Sequence, residues 1–159
     1  MKNCTRSARL VEALRRKGLT LSAAESCTGG LFSATVVDAP GASAVFLGGV
    51  VSYASEIKEH VLAVPHTLIE EHTAVSVPVA RAMAQGVCRL TRSDIGISVT
   101  GLAGPDGGTP EIPVGRVYVG VCRAAKELFV RELTIPGTRE EVRRGATDAM
   151  LDILLEILS

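Results

Sequence analysis

Twice in this chain an apolar run ends in small polar residues and then turns through glycine. Residues 19–25 lead into Ser26-Cys27-Thr28-Gly29-Gly30, and residues 94–100 lead into Gly101-Leu102-Ala103-Gly104-Pro105-Asp106-Gly107-Gly108. Short, continuous apolar runs bounded by glycine read as strands buried on both faces, the condition of a parallel sheet covered by helices. In such a sheet, ligands collect beyond the carboxyl ends of the strands. The pattern therefore constrains fold and site together.

The segments between these runs supply the covering helices. Residues 7–17 place Leu10, Val11 and Leu14 on one helical face, and Gly18 stands at the expected left-handed stop. A second helix is expected to open at Thr28-Gly29-Gly30 and to run to about Asp38, where Asp38-Ala39-Pro40-Gly41 breaks it. Residues 45–53 predict a buried strand, residues 55–62 a short helix with Ser55 as N-cap, and residues 67–72 a further turn or two of helix. Residues 77–91 carry Val79, Met83, Val87 and Leu90 on one stripe, an amphipathic helix. Residues 116–123 and 128–135 predict a hairpin joined around Ala124-Ala125-Lys126, and residues 139–158 a long closing helix. The expected architecture is one domain over residues 1–159, a three-layer α/β/α sandwich with a mixed, mainly parallel sheet.

Composition narrows the function classes. Apolar residues make up 47% but aromatics only 3%, so aliphatic side chains must fill the core. Lys+Arg and Asp+Glu balance at 17 each, and without a basic excess the chain is poorly suited to grip a nucleic-acid backbone. Cys4, Cys27, Cys88 and Cys122 form neither a C-x-x-C pair nor a zinc spacing, and read as buried small hydrophobes in a reducing compartment. Only Cys27 lies beside residues with chemical potential. No apolar run approaches the ~20 residues of a membrane span. The first 18 residues alternate charge with apolar residues, unlike a secretory signal, so the cytoplasm is the expected compartment.

Both glycine corners are natural places for an anion. Glycine lets backbone N–H groups approach closely, and a helix N-terminus adds favourable partial charge. Glycines that merely make tight turns would look the same. Neither corner has the dinucleotide fingerprint or a Walker A loop, because no Lys follows Gly30 or Gly108 as that loop needs. Ser26 stands at the strand-to-helix corner, a geometry similar to a nucleophile elbow without its G-x-S-x-G sequence. A serine nucleophile needs a base. His60, His66 and His72 lie in charged or Pro-flanked stretches away from any strand end, so a Ser-His-Asp triad is disfavoured. Lys58 is the better base: in the first turn of its helix the macrodipole opposes its charge, and burial would favour the neutral amine. A solvated helix lysine is the alternative for Lys58 taken alone. Ser55-Glu56-Ile57-Lys58 also matches the S-x-x-K of penicillin-binding enzymes, but no S-D-N or K-T-G accompanies it. Tyr53 ends the strand before this helix and could set its hydroxyl beside Lys58. Arg139 and Arg143 share a helical face, so one could bind a phosphate, or both could pair with Glu140 and Glu141.

The motifs together resemble a known family. Residues 24–30, Tyr53 to Lys58, Gly101 to Gly108 with Pro113-Val114-Gly115, and Pro136-Gly137-x-Arg139 with Val142-Arg143-Arg144 are similar to the carboxy-terminal domain of competence/damage-inducible protein A, over roughly residues 11–155. The resemblance implies a nicotinamide mononucleotide deamidase of pyridine nucleotide salvage, a serine/lysine hydrolase without metal or other cofactor, and a homodimer. Carried onto this chain, it makes Ser26 the nucleophile, Lys58 the base and Tyr53 an assistant. Its substrate-binding set is Cys27, Thr28, Gly29, Gly30, Thr100, Gly101, Ala103, Gly104, Pro105 and Arg143. Amides from Cys27 to Gly30 are the expected oxyanion donors, and the Gly101–Gly108 loop is the expected phosphate site, with Arg143 an alternative. Ala54 departs from the commoner Tyr-Ser/Asn-x-x-x-Lys pattern. Longer members carry an amino-terminal domain similar to molybdopterin-binding proteins; no stretch here corresponds to it, so that domain's activity is expected to be absent. Two other readings stay open: a non-catalytic nucleotide-binding domain of the same fold, and an amidohydrolase for another small amide.

Overall fold

The computed structural model describes residues 2–124 and 126–159, with side chains from Arg6 onward. The expectations for the Cys4 side chain and for Ala125 in the hairpin turn fall outside the described residues. In chain order the elements are α1 (Lys2–Lys17), β1 (Leu21–Glu25), α2 (Leu31–Val37), a 3₁₀ turn (Ala42–Ala44), β2 (Phe46–Val51), α3 (Ser55–Leu62), α4 (His66–His72), α5 (Val77–Thr91), β3 (Ile95–Gly101), β4 (Arg116–Arg123), β5 (Lys126–Thr134) and α6 (Arg139–Leu158).

The sheet order is β2-β1-β3-β4-β5. β1 pairs in parallel with β2 and β3, and β4 is antiparallel to both β3 and β5, so β4 alone opposes the other four. One helical layer, α1, α2 and α6, packs Leu10, Leu14, Phe32, Val36, Met150, Leu151 and Leu154 over one face of the sheet. On the other face α5 lays Val79, Met83 and Val87 against Ala24 of β1 and Leu62 of α3. The fold is the three-layer α/β/α sandwich with a mixed sheet.

Central β1 is buried along its whole length, as an apolar run flanked by two parallel partners must be. Its last residue, Glu25, lies opposite Val51 and Val99, which brings the ends of β1, β2 and β3 to one rim. The position of α3 over this rim is set partly by Gly86 of α5, where a Cβ would come within 2.1 Å of the Leu62 carbonyl oxygen. Only a residue without a side chain permits that approach.

Three local expectations need correction. The run 45–53 is not a buried strand: β2 is a sheet edge, and Leu47 and Val51 are about half exposed because nothing among the described residues pairs with its outer side. Ser55 is not the N-cap of α3; Ala54 occupies that position in extended conformation, with no side-chain cap. The second helix starts at Leu31 rather than at Thr28, because the glycines form the turn itself, Gly29 at φ +60° and Gly30 at φ +100°.

Candidate active site

The corner after β1 is held by a residue the sequence reading did not single out. Glu25 is fully buried and both of its oxygens accept. Oε1 takes the Thr28 hydroxyl and the N–H groups of Gly30 and Phe32, and Oε2 takes the N–H and hydroxyl of Ser33. The carboxylate therefore fills the N-terminus of α2 from inside the protein. It satisfies orphan donors that would otherwise invite an anion.

Ser26 follows directly, 8% exposed, with its N–H bonded to the Val99 carbonyl as an extension of the β1–β3 ladder. Lys58 reaches it from α3, with Nζ 3.0 Å from Ser26 Oγ. The same Nζ lies 2.7 Å from the Ser52 carbonyl and 3.2 Å from the Tyr53 carbonyl. The Lys58 side chain is only 1% exposed, and burial lowers its pKa from 10.5 to about 8. A neutral amine has two N–H donors and one lone pair. With both donors committed to the two carbonyls, the lone pair is left for the Ser26 hydroxyl proton.

Cys27 is the other potential nucleophile, and its environment argues against it. Burial pushes its thiol up to about 11, outweighing the lowering by its own backbone and by Arg143. It stays protonated at neutral pH, and the thiolate is the reactive form.

Several expected groups are spent on the protein itself. The Gly29 N–H donates to the Ser26 carbonyl and the Gly30 N–H to Glu25, which corrects the expectation that all amides from Cys27 to Gly30 serve an oxyanion. Of these four residues only Cys27 lines the cavity described below. Tyr53 does not set its hydroxyl beside Lys58: that hydroxyl accepts from Arg139 at 3.0 Å, and its carbonyl is what meets the amine. Arg143 donates Nε to the Cys27 carbonyl at 3.0 Å and Nη2 to the Thr28 carbonyl at 2.9 Å. Arg144 pairs with Glu140 at 3.0 Å, as its spacing allowed. His60, His66 and His72 are all exposed, His66 against Glu59.

Above the Ser26–Lys58 pair lies a cavity of about 320 Å³, the size of a small-molecule site. Ser26, Cys27, Tyr53 and Lys58 line it, as do Thr100, Gly101, Ala103, Gly104, Asp106 and Arg139. Thr28, Gly29, Gly30, Pro105 and Arg143 do not. Leu102 lines it too, as do Ala74 and Val75, a strap that the sequence reading passed over. The Thr100 hydroxyl holds the strap by donating to the Ala74 carbonyl at 2.9 Å, and the strap begins at Thr73 with φ +66°. A non-glycine residue in that conformation is sustained only by its surroundings. Arg139, which spans from the Gly104 carbonyl to Tyr53, is the arginine facing the cavity.

A serine hydroxyl, a buried amine and a small cavity meet at the strand ends. The model of the CinA C-terminal domain matches residues 4–158. The chain belongs to the CinA C-terminal domain family. Among curated relatives, a putative competence-damage inducible protein of Desulforudis audaxviator is 47% identical over 148 residues, 93% of this chain and 36% of its own length. A CinA-like protein of Dictyoglomus thermophilum is 49% identical over 145 residues, covering 91% of this chain and 35% of the relative. The chain thus spans about a third of the length of these relatives. Among solved structures, a competence/damage inducible protein from Agrobacterium tumefaciens superposes with a TM-score of 0.96 at 31% identity, covering 100% of this chain and 97% of that one. A CinA superfamily protein from Klebsiella pneumoniae does so with 0.95 at 30%, covering 99% and 98%.

Among the described residues no helix is long and apolar enough to cross a membrane, and no group of three or more His, Cys, Asp or Glu is placed to hold a metal ion.

Proposed function

We propose that this CinA-family chain hydrolyses the carboxamide of nicotinamide mononucleotide to nicotinate mononucleotide and ammonia. The observation that carries the reading is the 3.0 Å contact between Ser26 Oγ and a Lys58 amine whose other two bonds go to backbone carbonyls. Lys58 takes the Ser26 proton as Oγ attacks the amide carbon, and the resulting oxyanion is met by the amide of Cys27, which lines the cavity. Collapse breaks the C–N bond, Lys58 returns the proton to the departing nitrogen, and ammonia leaves an ester on Ser26. Water, losing its proton to Lys58, then releases the carboxylate and restores the serine.

Arg139 provides the charge for the 5′-phosphate at the cavity wall. Arg143 is less suited, because its guanidinium is committed to two carbonyls. The test is ammonia release from purified protein given nicotinamide mononucleotide and a panel of other small amides. Turnover of the mononucleotide above all others is expected; faster turnover of a different amide would replace the substrate, and no turnover of any amide would remove the reading.

For the homodimer we propose the free edge of β2. Leu47 and Val51 on that strand, with Val37, Tyr53, Ile57 and Val61 around it, make up six of the eight large hydrophobics exposed among the described residues. Light scattering of Val51→Lys should report a monomer where the unmodified chain reports a dimer; a dimer in both would place the contact elsewhere.

A further inference from the structure

The corner that carries Ser26 is gripped from two sides by opposite charges. The Glu25 carboxylate collects N–H and O–H donors of residues 28–33, while the Arg143 guanidinium collects the corner's carbonyls, those of Cys27 and Thr28. The two grips come from different parts of the fold, one from the end of β1 and the other from the second turn of α6. The packing is close: a Cβ added at Gly29 would lie 3.3 Å from Arg143 Nη2.

The carbonyl that Arg143 Nε holds belongs to the peptide plane joining Cys27 and Thr28. A trans peptide is rigid and points its C=O and N–H in opposite directions. Fixing the Cys27 carbonyl therefore fixes the plane that follows Cys27 in the turn. The second bond, to the Thr28 carbonyl, fixes the Gly29 N–H, which closes the turn onto the Ser26 carbonyl at 3.0 Å and so fixes the plane whose N–H belongs to Cys27, a residue of the cavity lining. The planar guanidinium can hold two neighbouring carbonyls at once, whereas an ammonium is a point donor.

We infer that Arg143 is a positioning residue: by clamping the carbonyls of Cys27 and Thr28 it holds the nucleophile turn, and the amide aimed at the developing oxyanion, in reactive geometry. It touches neither substrate nor the Ser26 hydroxyl. The inference rests on the serine/lysine reading above but not on the identity of the amide. An interaction felt mainly in the transition state appears in kcat rather than in KM.

The experiment compares the unmodified chain with Arg143→Ala and Arg143→Lys in two assays: steady-state amide hydrolysis, and the rate at which a fluorophosphonate probe labels Ser26. In Arg143→Ala, kcat should fall on the order of 100-fold, the scale of losing one well-aimed oxyanion donor, with KM within about threefold. Probe labelling should slow in parallel, and added guanidinium at concentrations well below denaturing should recover part of both rates. Arg143→Lys should lie between. A large rise in KM with kcat preserved would overturn the inference in favour of a phosphate-binding arginine. So would a loss that scales only with the unfolded fraction seen by circular dichroism and is untouched by guanidinium. If the unmodified chain hydrolyses no amide, the functional reading fails, yet the labelling rates still decide the clamp: equal labelling of all three proteins overturns it.

Discussion

The chain turns twice through glycine at the rim of the same sheet, and the two turns are stabilised in different ways. After β1, residues 26–30 are bound by charge: a fully buried carboxylate takes the donors and a guanidinium takes the acceptors. After β3, residues 101–115 are fixed by close contact. A Cβ at Gly101 would lie 2.8 Å from the Arg116 carbonyl oxygen, one at Gly104 would meet Val114 at 2.5 Å, and one at Gly115 would meet the Ile135 carbonyl oxygen at 2.3 Å. The first turn is built to hold one hydroxyl still; the second is built to pack tightly and give the cavity a wall. Glycine content alone does not separate these tasks. The buried polar partners do.

The sharpest way to test that contrast is to remove chemistry from the first turn. Ser26→Ala should reduce amide hydrolysis by roughly 10⁴–10⁶-fold with little change in melting temperature, since the Glu25 and Arg143 contacts do not involve its hydroxyl. Lys58→Ala should cost roughly 10³–10⁴-fold in kcat. In the unmodified chain the rate should climb about tenfold per pH unit towards about 8 and level off above it, because only the deprotonated amine can accept the serine proton. A rate independent of pH between 6 and 9 would reject Lys58 as the base.

Next comes the grip itself. Glu25→Ala leaves five donors without their acceptor in a buried setting and should destabilise the fold by about 3 kcal/mol or more in urea unfolding. A change below 1 kcal/mol would mean that water or a neighbour replaces the carboxylate, and the charge-bound description would fail. The smallest expected effect belongs to the second turn. Gly101→Ala should cost about 1–3 kcal/mol through overpacking, with hydrolysis per folded molecule falling far less than in Ser26→Ala. A loss as deep as that of the serine variant would make the second turn part of the chemistry and erase the distinction.

Much of this was legible from residue order. Apolar periodicity located α3, α5, β4 and α6 with their observed bounds, because burial of one face or run is a property local sequence can express. That Ser26 and Lys58 would be candidates for one site was legible because each stands at an element terminus, where side chains of that type have few structural duties, and the structure brings the two within 3.0 Å. What escaped were relations between distant segments. The edge position of β2 depends on which strand fails to pair beside it, and FLGGVV reads the same whether covered or not. Arg139 and Arg143 are indistinguishable by spacing. Which one faces the cavity depends on the orientation of α6 over the sheet, and the structure turns Arg139 toward Tyr53 and Arg143 onto the turn that carries Ser26. Glu25 could not be ranked as a cap because its five partners span residues 28–33 in a turn with no standard capping pattern.

The burial of Lys58 has a thermodynamic side that has nothing to do with rate. Moving its pKa from 10.5 to about 8 means the fold disfavours the ammonium by about 3–4 kcal/mol, at roughly 1.4 kcal/mol per unit. Below pH 8 native and unfolded chains both carry the proton, and the native state bears that penalty in full. Between 8 and 10.5 the unfolded chain holds a proton the native state has released, so the penalty shrinks as the solution becomes more alkaline. An inert Lys58→Met protein should therefore melt above the parent at pH 7, with the gap closing towards pH 10 in calorimetry. The buried amine makes the native fold most vulnerable where it is still charged.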